Sequence, residues 1–167
     1  MSDVIVEAGG ILIFGAHRYR CVLGKGGITD HKREGDGAAP RGNFPLREVY
    51  FRSDKIERPQ TGLPVRALHP DDGWCDDAAR PEYNTRVTLP FNGKHEHLWR
   101  DDDLYDIIVV IGYNDAPVVA GDGSAIFMHI ARPDHAPTDG CVALSKQDLL
   151  EVLRGCADRT EIRIGVQ

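Results

Sequence analysis

Residues 121–144, GDGSAIFMHIARPDHAPTDGCVAL, constrain the fold more than any other stretch of the chain. Ser124–Ile130 is a near-continuous apolar run bounded by glycine, the pattern of a strand covered on both faces. His129 is the polar side chain near its end. The loop Ala131–Gly140 carries Pro133, Asp134, Pro137 and Gly140, turn formers for distinct backbone reasons. Cys141–Leu144 is a second short apolar run. The two runs are expected to pair as an antiparallel hairpin, which brings the ends of the loop, His129 and Cys141, together. A cysteine attacks as a thiolate, and a neighbouring imidazole can take its proton. The pair points to acyl transfer through a Cys–His site. The alternative is a small core cysteine near a satisfied core histidine.

The order of residues narrows this chemistry. All seven histidines (17, 31, 69, 95, 97, 129 and 135) precede Cys141. Any imidazole partner is therefore upstream, the reverse of the Cys-then-His order of papain-like enzymes. His129 is favoured by the hairpin, and His135, at the loop tip, is expected in solvent.

At 167 residues the chain is expected to be one domain, 1–167, with a core that needs no staples. A net charge of −6 without a basic, aromatic-rich patch sets nucleic acid aside. No segment approaches the roughly 18 apolar residues of a membrane span. The first twenty residues lack the basic start and long apolar core of a secretory signal, so a cytoplasmic location is expected, or a periplasmic one by an unrecognised route. Cys21, Cys75, Cys141 and Cys156 are expected as reduced thiols, and none has C-x-x-C spacing for zinc.

Along the chain, Val4–Glu7, Gly10–Phe14 and Tyr19–Leu23 are expected to form an antiparallel meander. Residues 24–44, GKGGITDHKREGDGAAPRGNF, form a glycine-rich segment too long for a simple connector. It is not a phosphate cradle: Walker spacing is absent, and Thr29 stands where the dinucleotide fingerprint wants glycine. Leu46–Arg52 resumes strand character. Ser53–Pro90 is expected to be loops with one strand near Thr85–Leu89, either a substrate wall or a solvated insertion packed on Trp74. His95-Glu96-His97 lacks a third metal ligand and is expected to be a solvated turn. Leu104–Gly112 is a buried strand. Ser145 caps a helix with Asp148 three residues on and Gly155 at its end. Thr160–Val166 alternates as a last strand. Many strands and one helix make a mainly β (α+β) domain.

The motifs resemble the YkuD-type L,D-transpeptidase catalytic domain. The signature is a strand-borne His, a loop, then [ST]-x-G-C-[VI]-x-[LM]. Here these are His129 and Thr138-Asp139-Gly140-Cys141-Val142-Ala143-Leu144. Residues 32–44, KREGDGAAPRGNF, resemble the family's glycine-rich segment, with Ala39 in place of the usual Thr. The resemblance runs from about Val4 to Leu153. It implies a β-sandwich-like fold with a helix beside the catalytic hairpin, and action on peptidoglycan tetrapeptide stems or muropeptides at the diaminopimelate–D-alanine bond. In that reading Cys141 is the nucleophile and His129 the general base, then acid. The carbonyl of Ile130 orients the imidazole, and the N–H groups of Asp139, Gly140 and Cys141 hold the oxyanion. No metal or organic cofactor is implied, and acylation by carbapenems is. An amine acceptor makes the enzyme a transpeptidase; water makes it an L,D-carboxypeptidase, the outcome that suits a cytoplasmic chain. A non-catalytic cell-wall binding module is the reading from a different class.

The chain departs from the family pattern at three places. Many members have His just before Gly-Cys, where this chain has Asp139, and Gly after the catalytic His, where it has Ile130. Arg is frequent two places after the Cys, where it has Ala143. Arg132, Thr138, Arg41 and Lys32 are the candidates for holding substrate, and Asp139 is expected to raise the thiol pKa.

Overall fold

A computed structural model describes residues 2–166. Strands β1 (Val4–Glu7), β2 (Ile11–Phe14) and β3 (His17–Arg20) form an antiparallel meander as expected, but the third strand starts at His17 rather than Tyr19, because Phe14 pairs with His17 and leaves only Gly15 and Ala16 in the turn. Alternation puts Val4, Val6 and Leu12 on the buried face. The glycine-rich segment contains two short paired strands, β4 (Ile28–Thr29) and β5 (Ala39–Pro40), and runs into β6 (Gly42–Phe51).

β6 is the central strand. Its first half pairs with β14 (Glu161–Ile164) and its second with β11 (Ile107–Ile111). β7 (Val65–Ala67) lies parallel to it. β8 (Asp72–Cys75), β9 (Arg86–Thr88) and β10 (His95–His97) make a separate three-stranded sheet in the order β10-β8-β9. Two expectations are corrected here. Ser53–Pro90 holds three strands rather than one, and His95–His97 is a strand rather than a turn. The composition of β8, Asp-Gly-Trp-Cys, reads as a turn, but every residue of it is buried. The Asp72 carboxylate meets the Arg86 guanidinium at 2.8 Å, which makes that burial tolerable.

The main sheet runs β13-β12-β11-β6-β14-β1-β2-β3, with β12 spanning Phe127–Ile130 and β13 Val142–Leu144. Just past β3, Val22 bridges Ala143 of β13, so the two edges meet and the sheet nearly closes. Its inner face packs Val49, Ile107, Val109, Met128, Ile130 and Leu144 around the helix residues Leu149, Val152 and Leu153. The helix, α1 (Lys146–Gly155), starts as expected: the Ser145 hydroxyl accepts the Asp148 N–H at 3.1 Å. Gly155 is its last residue, and a side chain there would enter the Phe14 ring. The outer face of β11 and β12, with Ile108, Val110 and Phe127, is covered by a second cluster that includes Trp74 and Leu98. Trp74 packs edge-on against Phe127 at 5.1 Å between ring centroids.

The predicted hairpin is also corrected. β12 and β13 are parallel, with Met128 opposite Val142, His129 opposite Ala143 and Ile130 opposite Leu144. Residues 131–141 therefore carry the chain back along β12 instead of reversing it. Both strands are buried on both faces, as parallel strands are, so the apolar runs that suggested a hairpin fit the parallel pair equally.

Candidate active site

The parallel register still assembles the pair. With Ala143 opposite His129, Cys141 lies two residues along the neighbouring strand line, on the same side of the sheet. Strand spacing and rise put the two Cα atoms roughly 8 Å apart, within reach of the two side chains. Both side chains open into one cleft of about 460 Å³ between the main sheet and the three-stranded sheet. Cys141 is 7% exposed and His129 5%.

His129 Nδ1 lies 2.8 Å from the carbonyl oxygen of Ile130. A carbonyl only accepts, so Nδ1 carries the proton and the neutral ring keeps Nε2 as its basic nitrogen. The Cys141 thiol donates to the Ala125 carbonyl at 3.3 Å, and the Phe127 N–H donates to Sγ at 3.4 Å. Burial pushes the Cys141 thiol up to about 12; the Glu96 carboxylate adds to this, the Phe127 N–H opposes it, and Asp139 adds a little more. Burial pushes the His129 imidazole down to about 4, against the Ile130 hydrogen bond. At neutral pH the resting pair is therefore thiol and neutral imidazole.

The Cys-bearing turn rests on the glycine-rich segment. Thr138 N–H donates to Leu23 O and Lys25 N–H to Thr138 O, both at 3.0 Å. A Cβ on Gly24 would stand 2.8 Å from Gly140 N and run into the Gly37 carbonyl; one on Gly140 would stand 2.7 Å from the Ala38 carbonyl. Gly140 also has φ +115°, which side chains resist. The glycines are there for backbone-to-backbone contact beneath Cys141.

The candidate substrate contacts divide. Arg132 and Thr138 line the cleft. The Thr138 hydroxyl, however, donates to the Cys141 carbonyl at 2.7 Å and accepts the Gly140 N–H at 3.2 Å, so it braces the turn. Lys32 lines the cleft but is 8% exposed, its ammonium bound to Asp36 at 2.5 Å and to the Arg33 carbonyl at 2.7 Å. Arg41 is not at the cleft: its guanidinium binds Asp30 and the Gly165 carbonyl, because β5 leads it to the far end of β14. Asp139 is exposed and meets Lys25 at 3.0 Å. Ala143 is buried in the Val22 bridge opposite His129.

Sequence reasoning missed Glu96, Tyr105 and Arg100, which form one wall of the cleft. The His95-x-His97 spacing drew attention to the histidines, whose rings do lie side by side at 5.1 Å. Strand alternation turns Glu96 the other way, where Tyr105 donates its hydroxyl to Oε1. Glu34 and Asp76 add acidic groups, and burial raises the carboxyls of both Asp76 and Glu96. Among the described residues no group of three His, Cys, Asp or Glu side chains is placed to hold a metal ion. All four cysteines are buried free thiols, and no helix of the described residues is long and apolar enough to cross a membrane.

The model of the YkuD L,D-transpeptidase catalytic domain matches residues 4–164. The chain belongs to that family. No curated protein matches this YkuD domain by sequence. Among solved structures, L,D-transpeptidase 1 of Mycobacterium tuberculosis matches it at 11% identity and a TM-score of 0.45, covering 98% of this chain and 58% of that one. An L,D-transpeptidase from Mycobacterium smegmatis matches at 11% identity and 0.44, covering 99% and 58%. This YkuD domain thus spans 58% of the length of each of those chains.

Proposed function

We propose that the chain is a cysteine-dependent L,D-transpeptidase acting on peptidoglycan tetrapeptide stems, with Cys141 as nucleophile and His129 as base. The observation that carries this is the pair opening into one cleft with the imidazole held by Ile130 so that Nε2 is its basic nitrogen. Family membership supplies the substrate class.

The reaction begins from a neutral thiol. Cys141 turns its S–H from the Ala125 carbonyl to His129 Nε2, which takes the proton as sulfur attacks the carbonyl carbon of the diaminopimelate–D-alanine bond. The Phe127 N–H steadies the charge on sulfur as it forms. The oxyanion is held by the N–H groups of Asp139, Gly140 and Cys141. As a charged acceptor it outcompetes the Thr138 hydroxyl for the Gly140 proton. Collapse expels the D-alanine amine, which takes the proton from the imidazolium, and leaves a thioester on Cys141. An incoming amine then gives up a proton to His129 and displaces the thiol, forming the new amide. Arg100 and Arg132, both on the cleft, hold the carboxylates of the stem and take the place of the family arginine that Ala143 lacks.

Incubating the protein with a disaccharide tetrapeptide, with and without an amine acceptor, and weighing the products tests this directly. Transfer product that disappears in Cys141→Ala is expected. Tripeptide alone in both tubes would make the protein a hydrolase, an L,D-carboxypeptidase. No product, together with no mass gain on Cys141 from a carbapenem, would leave a non-catalytic wall-binding module.

A further inference from the structure

We propose that Tyr105 is a positioning residue for the His129 base and that Glu96 holds Tyr105 in place. The inference rests on the acyl-transfer reading of Cys141 and His129, and concerns how that base is kept aimed.

The imidazole has one hydrogen bond, from Nδ1 to Ile130. The bond sets which edge of the ring carries Nδ1, but the broad χ2 well leaves the tilt of the ring plane loose, and a tilted ring weakens that bond and swings Nε2 out of aim. The ring needs a second constraint, and Tyr105 supplies it. The two rings meet edge to face, with centroids 5.3 Å apart and planes at 74°. Tyr105 makes a similar contact with Phe127, at 6.0 Å and 78°. Phe127 precedes His129 by two residues and shares its face of β12. The phenol ring thus packs along the row that carries the base.

Tyr105 is itself held at both ends. Its hydroxyl donates to Glu96 Oε1 of β10. The Arg100 guanidinium lies 5.2 Å from its ring centroid and is forked onto Asp102 at 2.8 and 2.6 Å. Next to it in sequence, the Leu104 carbonyl accepts the Ile130 N–H at 3.1 Å, which ties the Tyr105 segment to the end of β12. Glu96 therefore reaches the base through a short path: carboxylate to phenol hydroxyl, phenol ring to imidazole. An edge-to-face pair attracts beyond simple burial, and here it holds the plane of the imidazole at one tilt.

The test compares Tyr105→Phe, Tyr105→Leu and Glu96→Ala with wild type in the full chain. Nitrogen-15 spectra of His129 at neutral pH give the tautomer and whether it is unique; single-turnover acylation with tetrapeptide gives the rate of the chemical step, and steady-state turnover gives kcat and KM. Wild type and Tyr105→Phe are expected to show one Nδ1–H tautomer. Tyr105→Leu is expected to show mixed tautomers, with acylation about 100-fold slower and KM within about threefold of wild type. Glu96→Ala, which leaves the ring contact in place, is expected to slow acylation about tenfold. A single Nδ1–H tautomer and wild-type kcat in both Tyr105→Leu and Glu96→Ala would overturn the proposal. If Tyr105→Leu does not fold, Glu96→Ala with unchanged tautomer and kcat overturns it alone. A wild type that is never acylated would remove the acyl-transfer reading, and the tautomer comparison would still decide the role of Tyr105.

Discussion

His129 and Ile130, neighbours in sequence, are joined by a 2.8 Å hydrogen bond from the imidazole Nδ1 of one to the carbonyl of the other. The bond closes within the end of one strand, and it makes Nδ1 the protonated nitrogen. What it leaves open is the protonation chemistry of the partner thiol.

That thiol is the subject of the first prediction. With the thiol pushed up to about 12, mainly by burial and then by Glu96, little thiolate exists at pH 7 in the free enzyme. Alkylation of Cys141 by iodoacetamide is expected to keep rising about tenfold per pH unit through pH 9, with no plateau near the 8.5 of an ordinary thiol. Removing the second cause, in Glu96→Gln, is expected to speed alkylation several-fold at fixed pH. A plateau near pH 8.5 in wild type would contradict the burial argument.

The second prediction concerns acid stability. An unfolded imidazole takes a proton near pH 6.5, whereas buried His129 does so only near pH 4. Between those values the unfolded state holds the extra proton, so acidification favours unfolding. The stability is present in full above pH 6.5 and is lost as pH falls towards 4, by on the order of 3 kcal/mol. Urea melts of wild type and His129→Gln from pH 7.5 to 4 are expected to show a steeper loss for wild type. Parallel curves would mean that His129 is not buried neutral.

Gly24 and Gly9 give a matched pair of substitutions. A methyl on Gly24 meets backbone at Gly37 and Gly140, while one on Gly9 meets nothing within 4 Å. Gly24→Ala is expected to cost about 1–3 kcal/mol, a fall in Tm of about 3–10 °C, and to slow acylation of Cys141 because the turn beneath it shifts. Gly9→Ala is expected to leave both nearly unchanged. Calorimetry on the two variants checks this.

Asn84 joins the cleft wall to the strand that bears the base. Its Oδ1 accepts from Trp74 Nε1 at 3.0 Å and Ala125 N at 3.1 Å; its Nδ2 donates to the Tyr113 and Asn114 carbonyls at 3.0 and 2.8 Å. All four bonding positions of the amide are filled. Asn84→Ala strands several buried partners and is expected to cost about 2–4 kcal/mol in a urea melt. A loss below about 0.5 kcal/mol would show that the network does not hold the wall.

The strands legible in sequence were those with a repeating pattern: the Val4–Phe14 meander, the apolar run at Ile107–Ile111, and the alternation at Glu161–Ile164. Ser145 announced the helix through the hydroxyl that caps it. β8 and β10 were hidden because Asp-Gly-Trp-Cys and His-Glu-His carry no such pattern. They are strands because they lie over Phe127 and Tyr105, partners far away in the chain.

The order of His129 before Cys141, the run Thr138–Leu144 and the glycines at 24–37 are properties of the sequence alone, and they sufficed to mark the family. A local motif suffices there because the histidine, its carbonyl partner, the turn and the cysteine all lie between residues 129 and 141. Tertiary structure decided the rest: that the two strands are parallel, that Arg41 faces away, and that Glu96, Tyr105 and Arg100 wall the cleft. Strand direction and cleft walls depend on contacts between distant segments, and a buried two-sided apolar run is compatible with either direction until its neighbours are in place.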